Sequence, residues 1–485
     1  MYNYYGDYMR LFNKKVSINT KYFFVIPFLI PILFLIGEYG FDNDFWFTIN
    51  QGRYVLSNGF PSYVIGTVHE GLSFIYQSYG TGIIFYLIYH YLGKIGVTIF
   101  VILLIETIIF IFYKLCLLIS NNNKVSLIVT SIFSLLSYSY TTTRPHMFTI
   151  LNLLLIIYLL ELFIKKKKTK YLIPIPIIGI LEANMHAIYF TPLLIIISPY
   201  LINSFKFKFK SIESEGYNKK AIIIVFIITL LAGLINPYTY KILAYGYSSY
   251  GTLISNRVVE LKALNFHDLF GKLCIFTILI TYIIYFSNKD KKIPIRYYLL
   301  LFGTTYLAFD ALKSFYFFVV CSLFPIAYMY KKNIEYKTDK KVLLTSLIIV
   351  IITLSLCLLT TKYRLPLGYD VANYLDSNNN IDNPKIYTSF MEGSYLEYRG
   401  YNCYIDPRAE LFLEVNNKKK DITDEYFALQ DGRLNYKEFI KEYDFDYLII
   451  KKEYDILYYH FKNFGIDNYT KVYDKDNYEI WKKDA

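Results

Sequence analysis

The sequence predicts a polytopic α-helical membrane protein of about eleven spans, followed by a small C-terminal α/β domain. Of its 485 residues, 55% are hydrophobic and 19% aromatic, with 53 tyrosines and 39 phenylalanines, and only 19% are charged. This composition excludes a disordered chain and an ordinary soluble protein. Apolar runs close to the ~18–20 residues that cross a bilayer recur from residue 22 to residue 360, separated by short polar loops.

The spans are assigned in order along the chain. Lys14, Lys15 and Lys21 precede the first apolar run, and no small-residue cleavage site follows Leu35–Glu38, so we expect an uncleaved signal anchor. Prolines interrupt 171–203, which forms one span or two. The predicted spans are 22–37, 95–119, 125–141, 145–164, 171–183, 186–203, 221–235, 271–286, 295–309, 314–330 and 342–361.

One further run, 71–92, is predicted to lie at the membrane surface. Its uninterrupted apolar part, Ile83–Tyr91, is too short to span, and its many tyrosines suit an interfacial helix that His69-Glu70 would open. Leaving this run at the surface also places every strongly basic loop on one side of the membrane.

Positive charge predicts the orientation. The net charge is +12, and four short basic loops together carry more than this excess. Such loops stay in the cytoplasm, so the excess indicates membrane topology and not a nucleic-acid surface. With eleven spans the N-terminus is cytoplasmic and the chain from Asp370 onward is extracytoplasmic, in the plasma membrane of the cell. The four loops are Lys165–Lys170, Lys206–Lys220, Lys289–Arg296 and Lys331–Lys341.

We therefore expect a membrane domain over 1–364, with a first outer loop over 38–94, and an outer α/β domain over 365–485. After residue 365 the chain holds 16 Lys and Arg against 23 Asp and Glu. About 110 residues are enough to fold alone. The cysteines show no disulfide or zinc spacing. The predicted strands are Lys385–Thr388, Asn402–Ile405, Tyr447–Ile450 and a closing hairpin over Val472–Trp481.

Polar residues that are unusual beside a membrane fall on the outer side. Asp42 and Asp44 form an Asp-x-Asp set just beyond the first span. Two carboxylates at this spacing can share a divalent cation, or one can accept a proton from a hydroxyl. Alternatively, they are loop acids that cap a helix over Phe45–Leu56. The candidate substrate-binding residues are His69, Glu70, Arg144, His146, His186, Asn236, Arg257 and Lys313.

Several of these candidates have an ordinary structural explanation. Glu70 at a helix start is favoured by the helix dipole whatever its function. Arg144 either snorkels at the membrane border or clamps a phosphate. Histidines and asparagines at loop ends, such as His186 and Asn236, more often complete local hydrogen bonds than bind ligands.

The remaining candidates are charged. Arg257 and Lys313 are cations on the side where the charge rule expects few, so they point to an anionic ligand. Asp406 and Arg408 follow a predicted strand, where they either bind a ligand or form a local salt bridge at a turn.

The ordered set of short motifs resembles bacterial members of the GT-C-like membrane glycosyltransferase superfamily, whose relatives include protein O-mannosyltransferases and the lipid A aminoarabinose transferase. The resemblance extends over residues ~22 to ~480, and the order is more specific than any single motif. The motifs are Asp42–Trp46, Gly52–Leu56, Gly59–Pro61, His69–Ser73, Thr143–Phe148, Asn184–His186, Asn236–Tyr238 and Ile405–Glu410.

The resemblance implies a polyprenyl-phosphate sugar donor, a glycan or lipid acceptor at the outer face, and an acid in the first outer loop as the base, here Asp42 or Asp44. Cations such as Arg144 would hold the departing phosphate. Related sequences often have a histidine where this chain has Thr48 and an acid where it has Val64-Ile65, which argues against a metal site. Beyond a divalent cation, no cofactor is expected.

Two other functions compete with transfer. A transporter or flippase of lipid-linked saccharide would carry ionisable residues near the bilayer midplane, and Glu106 within 95–119 is such a residue. A non-catalytic scaffold would bind glycan through the outer domain and tolerate loss of Asp42 and Asp44. The chain shows no internal repeat, which counts against transport.

Overall fold

The computed structural model describes residues 25–33, 38–137, 140, 142–206, 208–209, 212–245, 247, 252, 257–332, 340–475 and 477–484. Lys14, Lys15 and Lys21, and most of the basic loop Lys331–Lys341, lie outside the described residues.

Apolar helices build the N-terminal three quarters of the chain. Among the described residues, four helical segments are long and apolar enough to cross a membrane: Tyr79–Ser120, His146–Lys166, Leu269–Ser287 and Leu312–Met329. Every predicted span contains a helix, while the number of crossings stays a prediction. The helices are α1 (Ile26–Leu33), α2 (Asn43–Asn58), α3 (Tyr79–Ser120), α4 (Asn123–Leu136), α5 (His146–Lys166), α6 (Pro174–Met185), α7 (Phe190–Asn203), α8 (Lys219–Ala232), α9 (Tyr240–Tyr245), α10 (Leu269–Ser287), α11 (Ile295–Asp310), α12 (Phe315–Met329) and α13 (Lys340–Thr360).

The stretch 171–203 forms two helices that run in opposite directions. His186 interrupts it with a φ of −159° and a ψ of 71°. The first turn of α7 packs against the C-terminal end of α8, and Lys219 at the start of α8 lies over the ring of Phe205 just beyond α7. α6 instead runs parallel to α8, because the amide of Asn184 reaches Ile235 just beyond α8. The stretch therefore holds two separate helices, and whether it crosses the membrane once or twice stays a prediction.

α3 contains both the predicted surface run and the following span. Gly93 separates its two parts with a φ of +62°, which only glycine adopts without strain. The helix begins at Tyr79 and not near residue 71. The prediction that His69-Glu70 opens this helix is therefore wrong, because 59–78 follows an irregular path that packs against the C-terminal part of the chain.

The basic loops gather at one end of the bundle. Lys165 lies against Leu118, Lys332 donates to Ser120, and Ile212 pairs with Ile293 in a small sheet. At this end Arg296 binds Glu161 through two hydrogen bonds of 2.9 and 3.0 Å, and both side chains are at most 3% exposed. The small sheet contains β2 (Lys208–Phe209), β3 (Ile212–Glu213) and β4 (Ile293–Pro294).

A five-stranded mixed sheet dominates the C-terminal part. Its strands are β6 (Lys385–Tyr387), β7 (Asn402–Cys403), β8 (Tyr447–Lys451), β9 (Tyr469–Lys475) and β10 (Tyr478–Lys483). Their order in the sheet is β7-β6-β8-β10-β9. β6 runs parallel to β7 and β8, and β10 runs antiparallel to β8 and β9. The four predicted strand regions are thus present. The helices are α14 (Tyr369–Asn378), α15 (Gly393–Tyr398), α16 (Glu414–Asn417), α17 (Ile422–Gln430), α18 (Tyr436–Tyr443) and α19 (Ile456–Phe464).

The first outer loop shares a core with this C-terminal part. Leu72 and Phe74 are buried in one cluster with Tyr404 and Phe412. Two short parallel strands, β1 (Glu38–Tyr39) and β5 (Lys362–Tyr363), join the start of the loop to the chain leaving α13. The outer loop and the C-terminal sheet therefore lie at the same end of the bundle, opposite the basic loops.

Candidate active site

The start of α2 fixes both acids of the Asp-x-Asp set. Asp42 is the N-cap, and its Oδ1 accepts a 3.0 Å hydrogen bond from the backbone N–H of Phe45. The ring of Phe45 stacks on Phe41, and Trp46 on the next position is almost fully buried. Because aromatic packing anchors the helix start, Asp44 in the first turn is held at the surface of the bundle end.

Three carboxylates converge on one guanidinium at this end. Arg144 Nε donates to Asp42 Oδ2, and Arg144 Nη1 lies 3.0 Å from Asp44 Oδ2 and 2.7 Å from Glu260 Oε1. Arg144 and the two aspartates are between 24% and 29% exposed, and Glu260 is 51% exposed. The cluster is therefore partly buried and still open to a ligand. We call these four residues the acid cluster.

Burial and the neighbouring charges together set the pKa of Asp44. Burial raises it most, Arg144 lowers it, and the carboxylates of Asp42, Glu260 and Glu410 raise it, so that the pKa is about 7. For Arg144, burial alone would lower the pKa, but Asp44, Asp42 and Glu260 raise it, so the guanidinium stays charged. Asp44 is thus a carboxylate that can take up a proton near neutral pH.

The acid cluster was the predicted place for a divalent cation. Arg144 already lies between the carboxylates that would ligate one. In the described part of the chain, no group of three or more His, Cys, Asp or Glu is arranged to hold a metal ion. The residues present therefore do not fit a metal, and the guanidinium supplies the positive charge at this position.

A second group of polar side chains lies beside the acid cluster. His146 hydrogen-bonds the carbonyl of Tyr140 at 2.7 Å, and the ring of His186 lies 4.5 Å from that of Tyr189. Lys313 Nζ is 5.8 Å from the centre of the Tyr189 ring. We call His186, Tyr189 and Lys313 the cation pocket.

The cation pocket adjoins the acid cluster through two short turns. The Lys313 turn, Leu312–Ser314, packs against the Glu260 turn, Val259–Leu261. The backbone N–H of Leu312 donates to the carbonyl of Lys262 at 2.9 Å. The turns that carry Lys313 and Glu260 are therefore direct neighbours at this end of the bundle.

Four predicted substrate-binding residues lie elsewhere. Arg257 pairs with Asp431 and lies over the ring of Phe427, so it joins the loop before α10 to α17. Asn236 closes its own turn by bonding to Gly233, Tyr238 and Thr239. His69 Nε2 bonds the carbonyl of Tyr404 at 2.7 Å, and the carbonyl of Glu70 accepts from Lys419.

Asp406 and Arg408 also belong to the contact between the outer loop and the C-terminal part. Arg408 binds Asp406 and, through Nη2 at 2.7 Å, Glu397, and all three side chains are at most 4% exposed. Arg408 also contacts the carbonyl of Ile65 at 3.4 Å. Burial raises the pKa of Glu397, with Arg408 opposing it. Asp406 and Arg408 thus form a salt bridge at the turn, inside a buried network with Glu397.

Sequence reasoning missed two acids at this end. Glu260 lies between Arg257 and Lys262 in one loop. A single acid between two cations was the sequence signal that could have marked it as a candidate. Glu182 lies inside the apolar segment 171–183, where an ionisable residue is costly unless it is used. Glu260 binds Arg144, and Glu182 is linked to His186 through the hydroxyl of Thr149.

No family model and no curated protein matches the sequence. Among solved structures, the oligosaccharyltransferase of Archaeoglobus fulgidus, tethered to an acceptor peptide containing the NVT sequon, matches over 90% of this chain and 69% of its own, with a TM-score of 0.52 and 10% identity. The apo form of that protein matches over 91% and 70%, with a TM-score of 0.52 and 11% identity.

The chain has a GT-C fold. The fold that the ordered motifs implied is therefore confirmed, and the GT-C fold extends over nine tenths of the sequence. At 10% identity the match establishes the GT-C fold alone. The acid cluster and the cation pocket are features of this chain's own side chains.

Proposed function

We propose that the protein is a membrane glycosyltransferase that moves a sugar from a polyprenyl-phosphate donor to a glycan or lipid acceptor at the outer face of the plasma membrane. The observation that carries the proposal is the convergence of Asp42, Asp44 and Glu260 on Arg144, next to Lys313, at the end of a GT-C bundle. The gathering of the basic loops at the opposite end supports an outward-facing site.

Asp44 is the base in this proposal. Asp42 uses Oδ1 to cap α2 and Oδ2 to bind Arg144, so both of its oxygens are engaged. Asp44 bonds Arg144 through Oδ2 alone, and its pKa of about 7 matches a general base at neutral pH. Glu260 and Asp42 hold Arg144, which in turn positions Asp44.

Lys313 is the cation best placed for the phosphate. Arg144 is surrounded by three carboxylates, and Arg257 is bound to Asp431. Lys313 forms no ion pair with any residue that the structure describes, and it lies half-buried on the turn beside Glu260. A free ammonium group at the membrane border stabilises a departing phosphate.

The proposed reaction is an inverting displacement. Asp44 takes the proton of an acceptor hydroxyl, the acceptor oxygen bonds to the anomeric carbon, and the bond from that carbon to the phosphate oxygen breaks. The polyprenyl phosphate leaves with the electron pair and is held by Lys313. The structurally similar archaeal protein binds an acceptor peptide, whereas the partly exposed acid cluster of this chain also suits a saccharide or lipid hydroxyl.

The test is the cell-surface glycan profile, by mass spectrometry of released sugars, at matched protein levels. Cells with Asp44→Asn should match the deletion, with one sugar lost and its lipid-linked donor accumulated. Asp310→Asn is the matched control, because Asp310 is an exposed acid at the end of α11. If the deletion changes the surface while Asp44→Asn behaves as wild type, the transferase proposal is wrong.

A flippase for lipid-linked saccharide is the second candidate, and one observation favours it. Glu106 lies within α3, and both of its carboxylate oxygens are buried without a hydrogen-bond partner among the residues that the structure describes. Unpaired acids inside a membrane often mark transport pathways. If the protein is a flippase, Glu106→Gln should leave the lipid-linked donor on the cytoplasmic leaflet. If it is a transferase, the donor should still be translocated in cells that carry Glu106→Gln.

A further inference from the structure

A buried hydrogen-bond chain ends at His186. The hydroxyl of Thr149 donates to Glu182 Oε1 at 2.6 Å and lies 2.9 Å from His186 Nδ1, while Asn152 Nδ2 donates to Glu182 Oε2 at 2.8 Å. Glu182 and Thr149 are fully buried and Asn152 is 5% exposed. An ionised Glu182 therefore accepts one hydrogen bond at each of its oxygens, and the tautomer assignment below is for this ionised form.

The hydrogen bonds among Glu182, Thr149 and His186 decide which ring nitrogen of His186 carries the proton. A hydroxyl has one proton, and Thr149 gives it to Glu182. Nδ1 of His186 must therefore donate to Thr149, and in the neutral ring Nε2 carries the lone pair. Nε2 forms no hydrogen bond to any residue within the described ranges, so it is available to a ligand.

The surroundings of His186 select the ligand chemistry. Lys313 lies in electrostatic range of the His186 ring, and both side chains lie against the ring of Tyr189. A bare phosphate presents lone pairs, which the lone pair of Nε2 repels. A group that carries both an anionic phosphate and a neighbouring hydroxyl satisfies the ammonium and the imidazole together, and a glycosyl phosphate has this combination.

We propose that Thr149 and Glu182 hold His186 in the Nδ1–H tautomer so that Nε2 binds a sugar hydroxyl of the donor while Lys313 binds its phosphate. The ligand part rests on the proposed function, and the tautomer part stands by itself. Thr149 and Glu182 are positioning residues, since they act through His186.

The first experiment reads the tautomer directly. Full-length protein with ¹⁵N-labelled histidine is studied in lipid nanodiscs by NMR, and the spectrum of His186→Gln identifies the His186 signals. We expect a protonated Nδ1 and an unprotonated Nε2 in the wild type and in Thr149→Ser. Thr149→Val keeps the shape but removes the hydroxyl, so the Nε2–H tautomer should become the main form. A protonated Nε2 in the wild type, or no change in Thr149→Val, overturns the proposal.

Glu182→Gln gives an independent second test if Thr149→Val does not accumulate. The amide leaves one acceptor oxygen for two donors, Thr149 and Asn152. The Thr149 proton can then turn to His186 Nδ1, which populates the Nε2–H tautomer. If the His186 signal of Glu182→Gln is identical to that of the wild type, Glu182 and Thr149 do not set the tautomer of His186.

The second experiment reads function in cells by the surface-glycan profile. Thr149→Val should lower the transferred sugar about tenfold, the size expected for one lost hydrogen bond, and Thr149→Ser should restore it. Asp44→Asn is measured alongside. If Asp44→Asn has no effect, the proposed function fails whatever the tautomer. If Asp44→Asn abolishes transfer but Thr149→Val does not weaken it, the role of His186 fails by itself.

Discussion

Asp44 and Arg144 lie 3.0 Å apart, from Oδ2 to Nη1, and yet the pKa of Asp44 is raised to about 7. An arginine alone would lower the pKa of a neighbouring carboxyl. Burial and the acids Asp42, Glu260 and Glu410 outweigh that effect. Arg144 therefore holds the carboxylate in place without removing its ability to take a proton.

The first prediction separates the two acids of the first outer loop. Asp44→Asn should reduce sugar transfer by about 100-fold or more, because general base catalysis contributes at least that much. Asp42→Asn should cost about tenfold or less, since asparagine also caps helices well and only the charge toward Arg144 is lost. Transfer is measured with purified protein and the lipid-linked sugar that accumulates in deletion cells. Equal losses in the two variants would contradict the assignment of Asp44.

The second prediction concerns pH. Asp44 acts as a base only when ionised, so transfer should rise with pH between about 5.5 and 8.5 and reach half its plateau near the pKa of about 7. Glu260→Gln removes a negative neighbour, which makes the ionised form of Asp44 easier to reach and should move the midpoint to lower pH. The profile of kcat against pH checks both statements. A midpoint that stays unchanged or moves to higher pH in Glu260→Gln would show that Asp44 does not govern the profile.

The third prediction is that the guanidinium of Arg144, and not a metal ion, supplies the positive charge in the acid cluster. Because Arg144 lies between the three carboxylates, chelation with EDTA should leave transfer unchanged within about twofold, and the wild type should not bind Mn²⁺ in titration calorimetry. Arg144→Gln removes the guanidinium and leaves three carboxylates together, so it should bind Mn²⁺. Arg144→Lys should not restore transfer, since one ammonium group cannot bridge three carboxylates. Loss of wild-type activity on chelation would overturn this account.

The fold was largely predictable from the sequence because its signals are local. Apolar runs gave a helix within each of the predicted spans, and alternating patterns gave the strand regions of the C-terminal sheet. The start of α3 was missed because 59–78 packs by contacts with distant residues such as Cys403, whose backbone bonds Gly66 and Val68. Pairings of that kind leave no trace in periodicity.

The candidate site was predictable in part. Asp42, Asp44 and Arg144 stood out as charges beside a membrane, and the structure brings them together. Arg257 stood out for the same reason, but it pairs with Asp431, an acid far away in the sequence. Arg408 stood out because it follows a predicted strand, and it pairs with Asp406 and Glu397. A charge at a membrane border shows that a partner is needed, and only the fold shows whether that partner is a side chain or a ligand.

The fourth prediction tests the phosphate cation. Lys313→Ala should weaken binding of farnesyl phosphate about tenfold or more, because a half-buried ammonium beside Tyr189 is removed. Lys262→Ala is the matched control: Lys262 lies on the neighbouring turn, but its side chain is exposed. Binding is measured by titration calorimetry in nanodiscs without phosphate buffer. Equal weakening in both variants would indicate a general surface potential and not a site.

The fifth prediction concerns the contact between the first outer loop and the C-terminal sheet. Arg408→Met leaves Asp406 and Glu397 buried without their cation, which typically costs about 3–5 kcal/mol. Arg433→Met is the control, because the Arg433 side chain is 56% exposed in its ion pair with Asp431. Breaking this pair should change the free energy of unfolding by less than about 1 kcal/mol. Thermal unfolding in detergent should therefore begin several degrees lower in Arg408→Met alone. Limited proteolysis should cut that variant first within 59–78, because Arg408 also contacts Ile65. If both variants unfold like the wild type, the buried network does not hold the outer loop against the sheet.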